Sequence, residues 1–258
     1  MIRRGLALAA LLAPALPVQA GGDLPWGIDQ PQVVAALLRQ PVPAEDGFGR
    51  GFNHTGLTIL WRDCAACETV SVQHDLPPGR SFADTMARKV DLDGDGTREV
   101  LLVEQEASGA AVSVWGMSGR LASTGPVAPM ATIAGVEDFD SDGRAEIAFV
   151  ADPHGAAPVA VFLRLEQGRL VEIARAAGFT NHAFGAGMLR GGARDCGTGP
   201  ELVLARAGLA VAAALRLEGE GRISATDLGG LTGFRSLSRY QKCAAQPLPI
   251  PENPAPAP

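Results

Sequence analysis

The chain has 258 residues, and its 28 acidic against 22 basic side chains leave a formal charge of -6, which speaks against a nucleic-acid partner. Hydrophobic residues make up 47% of it and aromatics only 5%, a composition suited to tightly stacked sheets in a single large all-β domain. Beyond the N-terminus no apolar run approaches the ~20 residues of a membrane span.

Residues 1–20 read as a secretory signal peptide: Arg3 and Arg4, the apolar run Leu6 to Leu16, then the small-residue cleavage pattern Val18-Gln19-Ala20. Loss of those two arginines moves the formal charge from -6 to -8 in a mature chain that begins near Gly21. Export predicts a periplasmic or extracellular location. Lys89 and Lys242 are the only lysines, and with Ala and Gly plentiful this points to a bacterial genome. In the N-terminal segment, residues 21–47, the stretch Gln30 to Arg39 has helical propensity, with Pro31 in the first turn and Pro41 as a stop. At the other end, six prolines within residues 247–258 predict an extended tail.

Between these flanks, residues 48–246 divide into four units of strand, turn, strand and turn. The first holds Leu57–Trp61, Thr69–Gln73 and Phe82–Val90, and the second Glu99–Val103, Ala111–Trp115 and Ala131–Val136. The third holds Glu146–Val150, Val159–Leu163 and Leu170–Ala174, and the fourth Glu201–Ala205, Leu209–Leu217 and Phe234–Ser238. Repetition at 40 to 50 residues marks stacked blades. Cys64-Ala-Ala-Cys67 falls between two alternating strands and predicts a staple across a hairpin turn rather than a redox dithiol, because nothing helical follows it.

Two acidic nonapeptides lie 47 residues apart, Asp91-Leu-Asp93-Gly-Asp95-Gly-Thr97-Arg98-Glu99 and Asp138-Phe-Asp140-Ser-Asp142-Gly-Arg144-Ala-Glu146, and each runs into an apolar strand. Carboxylates packed this closely repel by roughly 1 kcal/mol per pair in water at ~4 Å, and more when shielded from it. A divalent cation removes that cost, and calcium suits a set of hard oxygens around a glycine turn. An EF-hand would need Glu at position 12, where this chain has Leu102 and Phe149. The pattern resembles instead the FG-GAP or VCBS repeat family, the calcium-bearing blades of integrin-type propellers. That resemblance implies a β-propeller-like array of about four blades, a closed small propeller or an open arc, with the short N-terminal helix packed on it. It also implies two Ca2+ sites, one from Asp91, Asp93, Asp95, the Thr97 carbonyl and Glu99, the other from Asp138, Asp140, Asp142, the Arg144 carbonyl and Glu146.

The third loop, Gly191 to Glu201, keeps the glycines and the closing Glu but only Asp195 of the acids, so it is expected to be metal-free. Cys196 and Cys243 are again 47 residues apart, at corresponding places in neighbouring units, which predicts a disulfide between them.

Catalytic signatures are missing from the pattern. His54, His74, His154 and His182 are scattered, with no His-x-x-x-His pair and no Gly-x-Ser-x-Gly elbow. The expectation is therefore a non-catalytic module, not an enzyme, that binds a protein or glycan of the cell envelope or matrix. The alternatives are an exported hydrolase or lyase with its active site on the blade loops, or a structural subunit of an envelope assembly. Clustering of His154, His182 and Asp152 would favour the enzyme, and their dispersal the binding module.

Overall fold

The computed structural model describes residues 31–44, 48–185, 191–233 and 236–243. The expected signal peptide, residues 1–20, and the expected extended tail, residues 247–258, lie outside the described residues. The fold is all-β: three antiparallel sheets follow one another along the chain. The first contains β1 (Gln32–Pro43), β2 (Phe52–Arg62), β3 (Val70–Asp75), β4 (Ser81–Phe82), β5 (Arg88–Val90), β6 (Glu99–Glu106), β7 (Gly109–Gly116) and β8 (Gly119–Ser123). The second contains β9 (Ala131–Glu137), β10 (Glu146–Ala151), β11 (Val159–Glu166) and β12 (Arg169–Ala177). The third contains β13 (Phe179–Thr180), β14 (Gly192–Asp195), β15 (Pro200–Arg206), β16 (Val211–Glu218) and β17 (Arg222–Gly230), and is followed by the short helix α1 (Leu237–Gln241).

Three expectations are corrected. The four units resolve into three sheets among the described residues, because β4 bridges the first two. Phe82 pairs with His54 of β2 on one side and with Glu104 of β6 on the other, which joins both units in one eight-stranded sheet. The N-terminal helix is a strand: β1 pairs with β2 from Gln32–Arg62 to Pro43–Phe52, with a bulge between Val33 and Ala35. Helical preference in Ala-Ala-Leu-Leu is worth only a few tenths of a kcal/mol per residue, less than a long ladder of backbone hydrogen bonds beside the buried β2. Pro41 and Pro43 are tolerated because β1 pairs on one side only. Likewise, part of the expected final strand is α1, whose Leu237 and Tyr240 are buried against β15 and β16.

The second sheet is covered on both faces. Along β10 the side chains alternate: Ile147 and Phe149 join a core with Leu101, Val103, Val112 and Val114 of the first sheet. Ala148 and Val150 join another with Leu202, Leu204, Ala213 and Leu215 of the third. A period of two with both sets apolar is what a strand between two layers requires. The three Gly-rich loops hold the same place in strand order, between β5 and β6, β9 and β10, and β14 and β15.

Candidate functional site

Each acidic loop turns back on itself through its own carboxylates. In the first, Asp91 Oδ1 accepts from the Gly94 N–H at 2.8 Å and Oδ2 from that of Gly96 at 3.0 Å, while buried Glu99 Oε2 accepts from the Leu92 N–H at 2.8 Å. The second repeats this scheme: Asp138 Oδ2 accepts from the Gly143 N–H at 2.9 Å, and Glu146 Oε2 from the Phe139 N–H at 2.8 Å. Leu92 and Phe139 are both buried, and they anchor the loops to the cores. Gly94 and Gly96 have φ of 77° and 86°, left-handed values that a side chain would strain.

The structure draws Asp91, Asp93 and Glu99 into one cluster and Asp138, Asp140 and Glu146 into another, with ligand oxygens within 4.8 Å of one another in each. Either group of carboxylates has the donor chemistry to hold a metal ion. The third aspartates stand outside these triads. Asp95 accepts from the Thr97 N–H at 2.6 Å, and Asp142 from the Arg144 N–H at 3.0 Å. The Arg144 guanidinium also donates to Asp142 Oδ2 at 3.2 Å.

The two clusters differ in charge compensation. Glu99 is 6% exposed, and its carboxyl is pushed up from 4.5 to about 7, chiefly by burial, with the Leu92 N–H pulling it down and the Asp93 and Asp91 charges adding to the rise. A carboxyl raised in the folded state favours folding while protonated. That contribution is full below about 4.5 and is lost as pH rises through about 7. In chelator the melting temperature is therefore expected to fall as pH climbs from about 4.5 to about 7, and Glu99→Gln to flatten the profile. In the second cluster Arg164, 8% exposed, bonds Glu146 Oε1 through Nη2 at 2.6 Å and Nε at 2.9 Å, and Asp140 Oδ2 at 2.7 Å. Burial works against the guanidinium charge, but these bonds outweigh it and hold Arg164 firmly protonated. Sequence reading missed this residue.

The cysteines are joined as Cys64–Cys67, with Cα atoms 5.0 Å apart just beyond β2, and as Cys196–Cys243 at 5.6 Å, which ties the third loop to the end of α1.

A separate, third cluster lies in the turns after β10 and β13. His154 Nε2 and His182 Nδ1 are 2.6 Å apart, and the Phe48 ring packs on both at 5.2 and 4.7 Å. The Thr180 hydroxyl donates to the Pro153 carbonyl at 2.9 Å and accepts from the His182 N–H at 3.2 Å, which fixes the two turns together. His182 is 1% exposed, whereas Phe184, 5.4 Å from His154, is 77% exposed at the rim. Both histidines and Phe184 line a cavity of about 290 Å³ that has no Asp or Glu among its described lining residues. Asp152 lines a different groove.

No protein family matches the chain, and no curated protein does. Three solved structures match. They are exotype rhamnogalacturonan lyase YesX at 15% identity and TM-score 0.38, covering 66% of this chain and 40% of that one, and rhamnogalacturonan lyase YesW at 16% and 0.39, covering 71% and 44%. The third is a Bacillus licheniformis rhamnogalacturonan lyase at 16% and 0.41, covering 70% and 44%. The chain spans less than half the length of these structures. The expectation of a non-catalytic binding or adhesion module is corrected on the criterion of clustering: His154 and His182, expected to be dispersed, share one pocket, although Asp152 does not join them. Their turns lie 28 residues apart, and only the stacking of the second and third sheets brings them together. Among the described residues no helix is long and apolar enough to cross a membrane. Two disulfides are compatible with an exported protein.

Proposed function

We propose that this chain is an exported domain of lyase type that cleaves an acidic polysaccharide of the envelope or matrix, with its active site at the His154–His182 pocket. The carrying observation is the convergence of two imidazoles beside an exposed aromatic ring in a cavity without carboxylates among its described lining residues. Hydrolysis of a glycosidic bond ordinarily uses two carboxyl groups. β-Elimination from a uronate sugar needs instead a base for the proton next to the carboxylate, and an acid for the departing oxygen; the C–O bond breaks and a C=C bond forms. Imidazole serves both roles near neutral pH. At 2.6 Å the His154–His182 contact has room for one shared proton, so each ring sets the protonation of the other. Phe184 offers a face on which a sugar ring packs.

The sheets are read as blades of the FG-GAP or VCBS kind, arranged as an arc, with calcium at the first acidic loop. The donors fit such an ion: Asp91, Asp93 and Glu99 converge, and among the described residues no basic side chain bonds any of them. Bound calcium would stiffen the turn before β6, and an ion at a hundred times its Kd adds about 2.7 kcal/mol to folding stability.

The test is incubation of the exported chain with rhamnogalacturonan and, separately, with polygalacturonan, monitored by the ultraviolet absorbance of the conjugated product. Absorbance that grows with enzyme concentration is expected on at least one polymer; a flat trace on both removes the lyase reading. Calcium should raise the melting temperature of the same preparation over chelator, and Asp93→Asn should cancel the rise.

A further inference from the structure

We propose that Arg164 is the resident cation of the second acidic loop, which closes that loop to divalent ions and leaves the chain one metal seat rather than two. The inference rests on the calcium reading of the first loop and refines it. Its ground is the register of the sheets. In each of the three loops a closing Glu opens the strand, and the residue across from it on the next strand decides what that carboxylate meets.

In the first sheet Val100 pairs with Trp115, so Glu99 faces Gly116, which has no side chain to offer. In the second, Glu146 pairs directly with Arg164. In the third, Leu202 pairs with Leu215, so Glu201 faces Arg216. The bonds follow this register. Arg216 donates to Glu201 Oε1 at 2.7 Å and Arg194 to Oε2 at 2.8 Å, in the loop that keeps only Asp195 of the other acids. Arg164 reaches further, from Glu146 to Asp140 and to within 3.3 Å of Asp142. Its guanidinium therefore lies among the same oxygens that an ion at Asp138, Asp140 and Glu146 would need. A dication entering there must break at least three charge-assisted bonds and strand a buried guanidinium, whereas the first loop presents its carboxylates with no such competitor. The three loops thus form a series in which cation supply passes from solvent to the protein: open, filled by one arginine, and closed by two arginines and a disulfide.

The experiment counts calcium bound per chain at millimolar calcium after rapid desalting, for the intact chain and for variants. One ion is expected for the wild type, one for Asp140→Asn, none for Asp93→Asn and two for Arg164→Gln. A wild-type count of two, or a count unchanged in Arg164→Gln, overturns the assignment while leaving calcium at the first loop intact. A wild-type count of none with one ion in Arg164→Gln overturns the first-loop reading and keeps the role of Arg164. Should Arg164→Gln fail to fold even in calcium, the Asp140→Asn count decides, and loss of an ion there rejects the proposal.

Discussion

On the proposed lyase function, replacing His154 with alanine is expected to slow polysaccharide cleavage by about 10²- to 10⁴-fold, the range for loss of a positioned acid or base. His154 lines the cavity and its Nε2 contacts His182 Nδ1 at 2.6 Å, so its loss removes both a ring at the pocket and the hydrogen-bond partner of the buried His182. The loss should fall on kcat and shift the pH–rate profile, which a merely structural role would not do. Phe184→Ala is the contrasting variant: an exposed ring that only packs on the sugar should raise KM with kcat nearly kept. A His154→Ala enzyme with wild-type kcat would place the chemistry elsewhere.

Removal of the Cys196–Cys243 bond as the double serine variant is expected to cost about 4 kcal/mol, from the closure entropy of a loop of about 47 residues. The bond fastens the third loop to the C-terminal end of α1, whose Leu237 and Tyr240 cover Val203 and Ala212. Without it the helix is held mainly by that small apolar cluster and by the Arg194 bond to the Tyr240 carbonyl at 2.7 Å. Urea titration of both proteins would read the difference as a lower midpoint, with a slope that rises as the unlinked denatured chain exposes more surface. The Cys64–Cys67 link closes only a short turn, so its removal should shift the midpoint much less.

Local chemistry was legible in the sequence, and long-range register was not. The acidic loops align with each other because their carboxylates fall within nine residues that end at the start of an apolar strand, and the strands around them, such as 146–151 and 159–166, carry long apolar runs. β17 escaped because Arg222-Ile-Ser-Ala-Thr-Asp is a mostly polar stretch that owes its conformation to pairing with β16. Residues 32–43 misled in the opposite direction, since intrinsic helix preference yielded to the neighbouring strand. Arg164 and the His154–His182 contact gave no signal at all: each pairs groups 18 or 28 residues apart, and no spacing rule links them before the hairpin and the stacking are known.

The middle layer has no outer side. Since β10 commits alternate residues to opposite neighbours, neither flanking layer is able to peel away without wetting half of that strand, and damage at one interface is felt at the other. Heat should accordingly dismantle all three layers in a single event, with the amides of β10 and β11 the last to surrender their hydrogens to deuterium.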